Sequence, residues 1–261
     1  MTMLAAIDVG NTSISIALFE GDVPVFKSGR PAKNPRTADD FARELEPMLL
    51  SAGIIPDQID GVVLASVVPE ITQVLCEGIR KALKCEPFII TTDTDTGISI
   101  QTDRPQELGV DRLIDAAAAC HFYGGDLLVI DFGTATTYDL VTSSGGFLGG
   151  AISPGIRTIA EALSDRASKL PMIEVRKPAS VLGTNTKDSM QSGVFYGYVG
   201  QIEYFTAAYR QILGDGMRVI ATGGYAELFV DATKSIDIYD ADLTIKGLKY
   251  IYEMHNKKYR K

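Results

Sequence analysis

Two short acidic turns have the residue types that hold a cation and a phosphate group. The first is Asp8-Val9-Gly10-Asn11-Thr12, and the second is Asp131-Phe132-Gly133-Thr134. In each turn an acid that can hold a hydrated cation precedes a glycine and small residues, whose backbone N–H groups can face phosphate oxygens. An Asp that caps a turn explains one such segment equally well. The repetition favours the functional interpretation, in which two facing hairpins grip a nucleotide tail.

A third segment, Gly109-Val110-Asp111-Arg112, sets an acid and a guanidinium side by side where a loop is predicted to become a helix. Gly109 permits close approach of a ligand to the backbone, and Asp111 can accept a proton from a hydroxyl group. Arg112 offers a forked donor to a carboxylate. A surface ion pair at the start of a helix accounts for the same residues, so this segment alone leaves both interpretations open.

Three further segments are candidates for the lining of a pocket. Residues 149–155 are rich in turn formers and are predicted to be a loop, 184–186 form a polar triplet before a helical stretch, and the glycines of 221–225 let a flat adenine lie against backbone. On its own, each is typical of a loop or tight turn.

The sequence has no G-x-x-x-x-G-K-[ST] motif, and no G-x-G-x-x-G opens a helix after the first strand, which excludes two common nucleotide-binding motifs.

Composition and charge narrow the class of protein. The 261 residues include 33 acidic and 25 basic ones, and the formal charge of -8 argues against nucleic acid as a partner. Three cysteines without CxxC spacing and two histidines argue against a Cys/His metal cluster and predict a reduced, cytoplasmic protein. The N-terminus lacks basic residues and no stretch of about 18 residues is continuously apolar, so we expect neither a signal peptide nor a membrane partner.

Hydrophobic periodicity predicts an α/β fold that positions these segments. Strands are predicted at 3–7, 14–18, 23–26 and 59–65, and helices at 37–50, 69–83 and 110–121. A strand at 126–130, the acidic turn and an alternating stretch then repeat the first pattern. Superposing Asp8 on Asp131 also superposes Gly10 on Gly133, and 61–66 and 218–224 each lead from a strand to a helix.

We therefore predict two copies of one α/β unit, as domains 1–122 and 123–261. The boundary falls where Tyr123-Gly124-Gly125 breaks the preceding helix. A single α/β domain with a chance recurrence of Asp-x-Gly is the alternative.

In this order the motifs resemble those of bacterial type III pantothenate kinases. The likeness runs from residue 5 to about residue 228, includes Ala65-Ser66-Val67-Val68-Pro69, and is specific because Gly-x-Asp-Arg and Asp-x-Gly-Thr-Ala-Thr-Thr occur in one chain. It implies the fold of the actin, sugar-kinase and chaperone-ATPase superfamily, with two ribonuclease-H-like domains, the nucleotide in the cleft between them, and a last helix that can return to the first domain. It also implies phosphorylation of pantothenate to 4'-phosphopantothenate, the first step of coenzyme A synthesis, with ATP, Mg²⁺ and K⁺ or NH₄⁺, by a homodimer.

The resemblance also implies roles for individual residues. The first phosphate-binding loop matches eight consecutive residues: Asp8, Val9, Gly10, Asn11, Thr12, Ser13, Ile14 and Ser15. Asp8 matches the residue near magnesium, Asp131 the ligand of the monovalent cation, and Thr134 an ATP contact. Asp111 matches the general base, and the pantothenate-binding positions are Gly109, Val110, Asp111, Arg112 and Thr186.

One position departs from the family pattern, because Thr102 stands where many members have Tyr. A kinase for another small hydroxy acid, a nucleotide-binding regulatory protein and a filament protein of the same fold are the rival functions, since fold alone does not fix function.

Overall fold

The computed structural model describes residues 3–32 and 37–259. Their contacts group the chain into two compact units. The first comprises the described residues of Met1–Gly97, Arg104–Ala118 and Thr244–Lys261, and the second comprises Ile98–Asp103 and Ala119–Leu243. The domain boundary at 122/123 stays a prediction, whereas the contact grouping assigns 98–103 to the second unit and the C-terminal helix to the first.

Eleven strands and seven helices are found in the described residues. The strands are β1 (Met3–Val9), β2 (Ser13–Glu20), β3 (Val23–Pro31), β4 (Ile59–Ser66), β5 (Pro87–Ile89), β6 (Ser99–Ile100), β7 (Leu127–Phe132), β8 (Ala135–Val141), β9 (Gly146–Pro154), β10 (Arg218–Thr222) and β11 (Ile238–Tyr239). The helices are α1 (Ala38–Ser51), α2 (Pro69–Leu83), α3 (Val110–Phe122), α4 (Ile156–Arg166), α5 (Thr186–Leu213), α6 (Glu227–Val230) and α7 (Leu243–Tyr259). Pro56–Gln58 and Pro105–Glu107 are short 3₁₀ turns.

Each unit has one sheet, and the two sheets have the same order. The first is β3-β2-β1-β4-β5, and the second is β9-β8-β7-β10-β11 with β6 added beside β9. In both, the central strand is antiparallel to the next strand in sequence and parallel to the fourth, as β1 is to β2 and β4, and β7 is to β8 and β10. The predicted repeat of one α/β unit is therefore confirmed.

In the first unit, helices α1 and α2 cover one face of the sheet. Their apolar side chains, among them Phe41 and Leu75, pack with inward-facing strand residues such as Ile7 and Ile14 into one cluster. Each fully buried side chain of this size contributes roughly 1.5–3 kcal/mol. Helix α1 begins as predicted, because the Thr37 hydroxyl accepts the Asp40 backbone N–H at 3.1 Å.

In the second unit, the long helix α5 covers the sheet. Phe229 stacks on Phe195 and Tyr198, with ring centroids 5.4 and 5.7 Å apart, and the same hydrophobic cluster includes the fully buried Tyr138 of β8.

Helix α3 ends where the double glycine predicts, since Gly124 and Gly125 have φ of 60° and 79°.

The prediction of a loop at 149–155 is wrong. Most of this segment belongs to strand β9, which pairs antiparallel with β8. Its glycines are needed for close packing, because a Cβ on Gly150 would lie 2.1 Å from the Tyr138 carbonyl oxygen. Gly149, with φ of 126°, lies at the shift in register between β8 and β9.

None of the helices in the described residues has both the length and the apolar character needed to cross a membrane.

Candidate active site

Asp8 lies one residue before the end of β1, in the middle of the first sheet. It pairs with Ser15 on β2 and with Ala65 on β4. The following turn is closed by the Gly10 N–H, which donates to the Ser13 carbonyl oxygen at 2.9 Å. The side chains at the tip of the turn, Asn11, Thr12 and Ser13, are exposed. The fold thus places a partly buried carboxylate directly behind an exposed polar turn.

The structure brings Asp8 close to Asp111. Burial, and to a lesser degree the negative charge of Asp111, together raise the pKa of Asp8 from its ordinary value of 3.8 to about 7. Two carboxylates in such an arrangement repel each other, and a bound cation relieves both the repulsion and the cost of burial. The predicted magnesium residue and the predicted base therefore share one site in the first unit.

Asp111 lies in the first turn of α3, where the positive end of the helix favours an anion. Its Oδ1 accepts the backbone N–H of Arg112 at 2.9 Å. A Cβ on Gly109 would lie 2.4 Å from this Oδ1. Gly109 thus lets the carboxylate of Asp111 fold back over the backbone, while the buried Leu108 and Val110 anchor the segment on either side.

In the second unit, Asp131 has the position that Asp8 has in the first. It pairs with Thr137 on β8 and with Thr222 on β10. The hairpin is one residue shorter, since three residues separate Phe132 from its partner Thr136, whereas four separate Val9 from Ile14. The structural match of the two turns consequently holds up to the glycine and then needs a gap of one residue.

The turn after β10 lies against Asp131. Gly223 has a φ of 90°, and a Cβ on it would lie 2.2 Å from Asp131 Oδ1 and 2.6 Å from the Phe132 nitrogen. Glycine is therefore needed at 223 both for its backbone conformation and for this contact. An adenine contact at this turn stays a prediction, and the structure places Gly223 beside the carboxylate of Asp131.

Thr134 is at the exposed tip of the second hairpin and is joined to the start of α4. Its carbonyl oxygen accepts the Gly155 N–H and the Thr158 hydroxyl, each at 2.9 Å. The backbone N–H groups of the first turn of a helix favour anions. Sequence reasoning missed Thr158 and α4, and the one available indication is Gly155 directly before an amphipathic stretch.

Thr186 is the first residue of α5. Asn185 caps this helix by accepting the Asp188 N–H at 3.0 Å. A cavity of about 680 Å³ opens here, with a polar rim that includes Thr184, Asn185 and Thr186, and apolar walls that include Met190 and Val194. The cavity can take a small molecule with one polar and one apolar part.

Carboxylates are sparse around these turns. Within the described residues, no group of three or more His, Cys, Asp or Glu side chains could hold a metal ion. Asp8 with Asp111 offers two carboxylates, which suits Mg²⁺ because this ion keeps several waters and binds through one or two carboxylates plus substrate phosphates.

The repeated sheet, with an Asp-x-Gly hairpin in each copy, is the fold of the actin and sugar-kinase superfamily. A solved 2-dehydro-3-deoxygalactonokinase of Sinorhizobium meliloti, described as putative, has a TM-score of 0.61 at 15% identity, covering 97% of this chain and 99% of that one. A solved protein of Campylobacter jejuni, described as a conserved putative Baf family transcriptional activator, has a TM-score of 0.61 at 20% identity, again covering 97% and 99%. At these identities the likeness shows the fold alone.

Sequence similarity is more specific. The family model for type III pantothenate kinase matches residues 4–208. A type III pantothenate kinase of Dehalococcoides mccartyi is 40% identical over 252 residues, which are 97% of this chain and 98% of the relative. The chain belongs to the type III pantothenate kinase family.

Proposed function

We propose that this chain transfers the γ-phosphoryl group of ATP to the primary hydroxyl of pantothenate and so makes 4'-phosphopantothenate for coenzyme A synthesis. Membership of the family gives the reaction. The observation that carries the mechanism is the placement of Asp111, at the N-terminus of α3, near the partly buried Asp8 at the end of β1.

Asp111 is proposed as the general base. It accepts the proton of the pantothenate hydroxyl while the hydroxyl oxygen forms a bond to the γ-phosphorus and the bond to the β-phosphate oxygen breaks. ADP leaves with the electron pair of that bond. Base catalysis of this kind contributes typically about 10² to 10⁴ in rate. The carboxylate geometry supports the role, because the Arg112 N–H fixes one oxygen at 2.9 Å and leaves the other oxygen to accept the proton.

The remaining residues are proposed to bind and orient pantothenate and ATP. We assign the carboxylate of pantothenate to Arg112, and a further substrate contact to Thr186 at the rim of the cavity. The turn at 10–13 and Thr134 are assigned to the phosphates of ATP, because both tips are exposed and carry hydroxyl and backbone donors. Phosphoryl transfer depends mainly on such positioning and on neutralisation of charge.

We assign Mg²⁺ to Asp8 and the monovalent cation, K⁺ or NH₄⁺, to Asp131. When bound, the two cations offset the negative charge of the phosphates. The site residues suit this need, because they include two neighbouring acids in one unit and a third acid at the equivalent strand end of the other.

A homodimer is part of the proposal. Helix α5 exposes Tyr204 and Ile212, which are 71% and 61% accessible. Exposed apolar side chains mark an interface when they form a continuous patch, and we propose that these two belong to one. Light scattering of the purified protein tests this, and a monomer at micromolar concentration would contradict it.

The decisive experiment is mass-spectrometric detection of phosphopantothenate from purified protein, pantothenate and Mg-ATP, with K⁺ or Na⁺ as the only monovalent cation. We expect product with K⁺, much less with Na⁺, and none from Asp111→Asn, which should still bind ATP. Glu107→Gln is the matched control, since it neutralises an exposed acid of the same segment whose carboxylate pairs with the Arg104 guanidinium at 2.9 Å. Full activity of Asp111→Asn would refute the mechanism, and absence of product from the wild type would refute the substrate.

A further inference from the structure

Helix α3 carries a second acid, Asp115, one turn beyond Asp111. Asp115 is only 2% exposed. A buried carboxylate is costly unless donors compensate for the lost water. One donor is the hydroxyl of Thr244 in the first turn of α7, which lies 2.6 Å from Asp115 Oδ1, a length typical of a hydroxyl bonded to an ionised carboxylate. The active-site helix is therefore bonded to α7 through a group that the proposed reaction does not use.

The two helices also approach each other closely at Gly247. A Cβ on Gly247 would lie 2.7 Å from Ile114 Cγ2, 2.9 Å from the Ile114 carbonyl oxygen and 3.0 Å from Ala118 Cβ. Thr244 and Gly247 are three residues apart and so lie on the same face of α7. This face contacts α3 over one full turn, which fixes both the rotation and the axial position of α3.

Helix α7 is in turn fixed to the sheet that carries Asp8. The ammonium group of Lys249, on a side chain only 10% exposed, lies 2.7 Å from Asp22 Oδ1 in the turn between β2 and β3. Further along, the hydroxyl of Tyr252 packs so closely on Gly61 of β4 that a side chain at 61 would collide with it. Strand β4 is the parallel neighbour of β1. Helix α7 thus links the strand that ends near Asp8 to the helix that begins at Asp111.

We propose that Asp115 and Thr244 are positioning residues for phosphoryl transfer: their hydrogen bond holds α3 so that the carboxylate of Asp111 stays at its working distance from Asp8. The inference rests on the proposed role of Asp111.

The test compares Thr244→Val, which removes the hydroxyl and keeps the volume, with Thr244→Ser, which keeps the hydroxyl. We expect Thr244→Val to lower kcat by about 10-fold to 100-fold, since a misplacement of about 1 Å can cost this much, while the KM for ATP changes less than about twofold. Thr244→Ser should restore kcat. The control is Thr37→Val, which also removes one hydroxyl hydrogen bond from the first unit, at α1, and should lower Tm without lowering kcat.

A wild-type kcat in Thr244→Val, with a lower Tm like that of Thr37→Val, would overturn the inference and leave the bond a purely structural one. If Thr244→Val does not fold, Gly247→Ala perturbs the same contact by pressing a methyl group on Ile114. A wild-type kcat in Gly247→Ala would also overturn the inference. Failure of the proposed function is distinguishable, because in that case the wild type would make no phosphopantothenate or Asp111→Asn would retain activity.

Discussion

Replacement of Asp8 by Asn should stabilise the protein while it removes activity. Burial and Asp111 raise the pKa of Asp8 in the folded chain from 3.8 to about 7. As the pH rises above 3.8, the unfolded chain releases this proton before the folded chain does, so the folded state loses stability between pH 4 and pH 7. A difference of about three pKa units corresponds to about 4 kcal/mol. Asn has no such proton to lose and avoids the penalty.

The measurement is urea unfolding of wild type and Asp8→Asn, without divalent cations, at several pH values from 5 to 8.5. We expect the variant to be more stable by about 2 kcal/mol at pH 5 and by about 4 kcal/mol at pH 8, with a plateau above pH 7. Added Mg²⁺ should stabilise the wild type and have little effect on the variant, because a ligand of the folded state alone raises its stability.

Asp60→Asn is the matched control, since Asp60 is an exposed acid in β4 of the same sheet. Its effect on stability should be small at every pH. A stability difference for Asp8→Asn that does not change with pH would refute the reasoning, because it would mean that the pKa of Asp8 is the same in the folded and the unfolded chain. A destabilised Asp8→Asn at pH 8 would refute it as well.

Three further changes test other parts of the structure. Gly223→Ala places a methyl group 2.2 Å from Asp131 Oδ1 at a φ of 90°; we expect a lower Tm and loss of activation by K⁺, and unchanged K⁺ dependence would contradict the proximity. Thr186→Val should raise the KM for pantothenate with little change in the KM for ATP, as measured by product formation. Thr37→Ala removes the cap that binds the Asp40 N–H and should cost about 1 kcal/mol in urea unfolding; no loss would contradict the cap.

Local patterns predict the framework of the fold well. Helix α2 begins and ends at the predicted residues, Pro69 and Leu83, and the proline at its first position is a start signal that the sequence shows directly. The repeat is equally visible, since Asp-x-Gly recurs after two apolar strands. The sequence does not predict strand β9, because the reason for a glycine at 150 is a close contact with the backbone of β8 at Tyr138. That contact exists only in the folded sheet.

In the candidate active site, too, local sequence predicts some features and tertiary contacts decide the others. The motifs predict Asp8, Asp111 and Asp131 as functional residues, yet nothing in their spacing along the chain predicts which of them meet. The approach of Asp8 and Asp111 depends on how α3 packs on α7, and this in turn depends on Gly247, which has no local role in a helix. The sequence marks Gly223 as a glycine of a turn, but its contact with Asp131 exists only because β10 pairs with β7.

The discontinuity of the first unit has a consequence for biosynthesis. Its sheet is complete by Ile89, but α7 contributes to the same unit after the whole second unit has been translated. At about 5–20 residues per second, the ribosome leaves the first sheet waiting for its last helix for roughly ten seconds or more. During this interval the surface of Ile114 and Ala118 that Gly247 later covers is exposed, so nascent chains are vulnerable to aggregation there. Enzymatic competence is thus acquired last, when α7 docks.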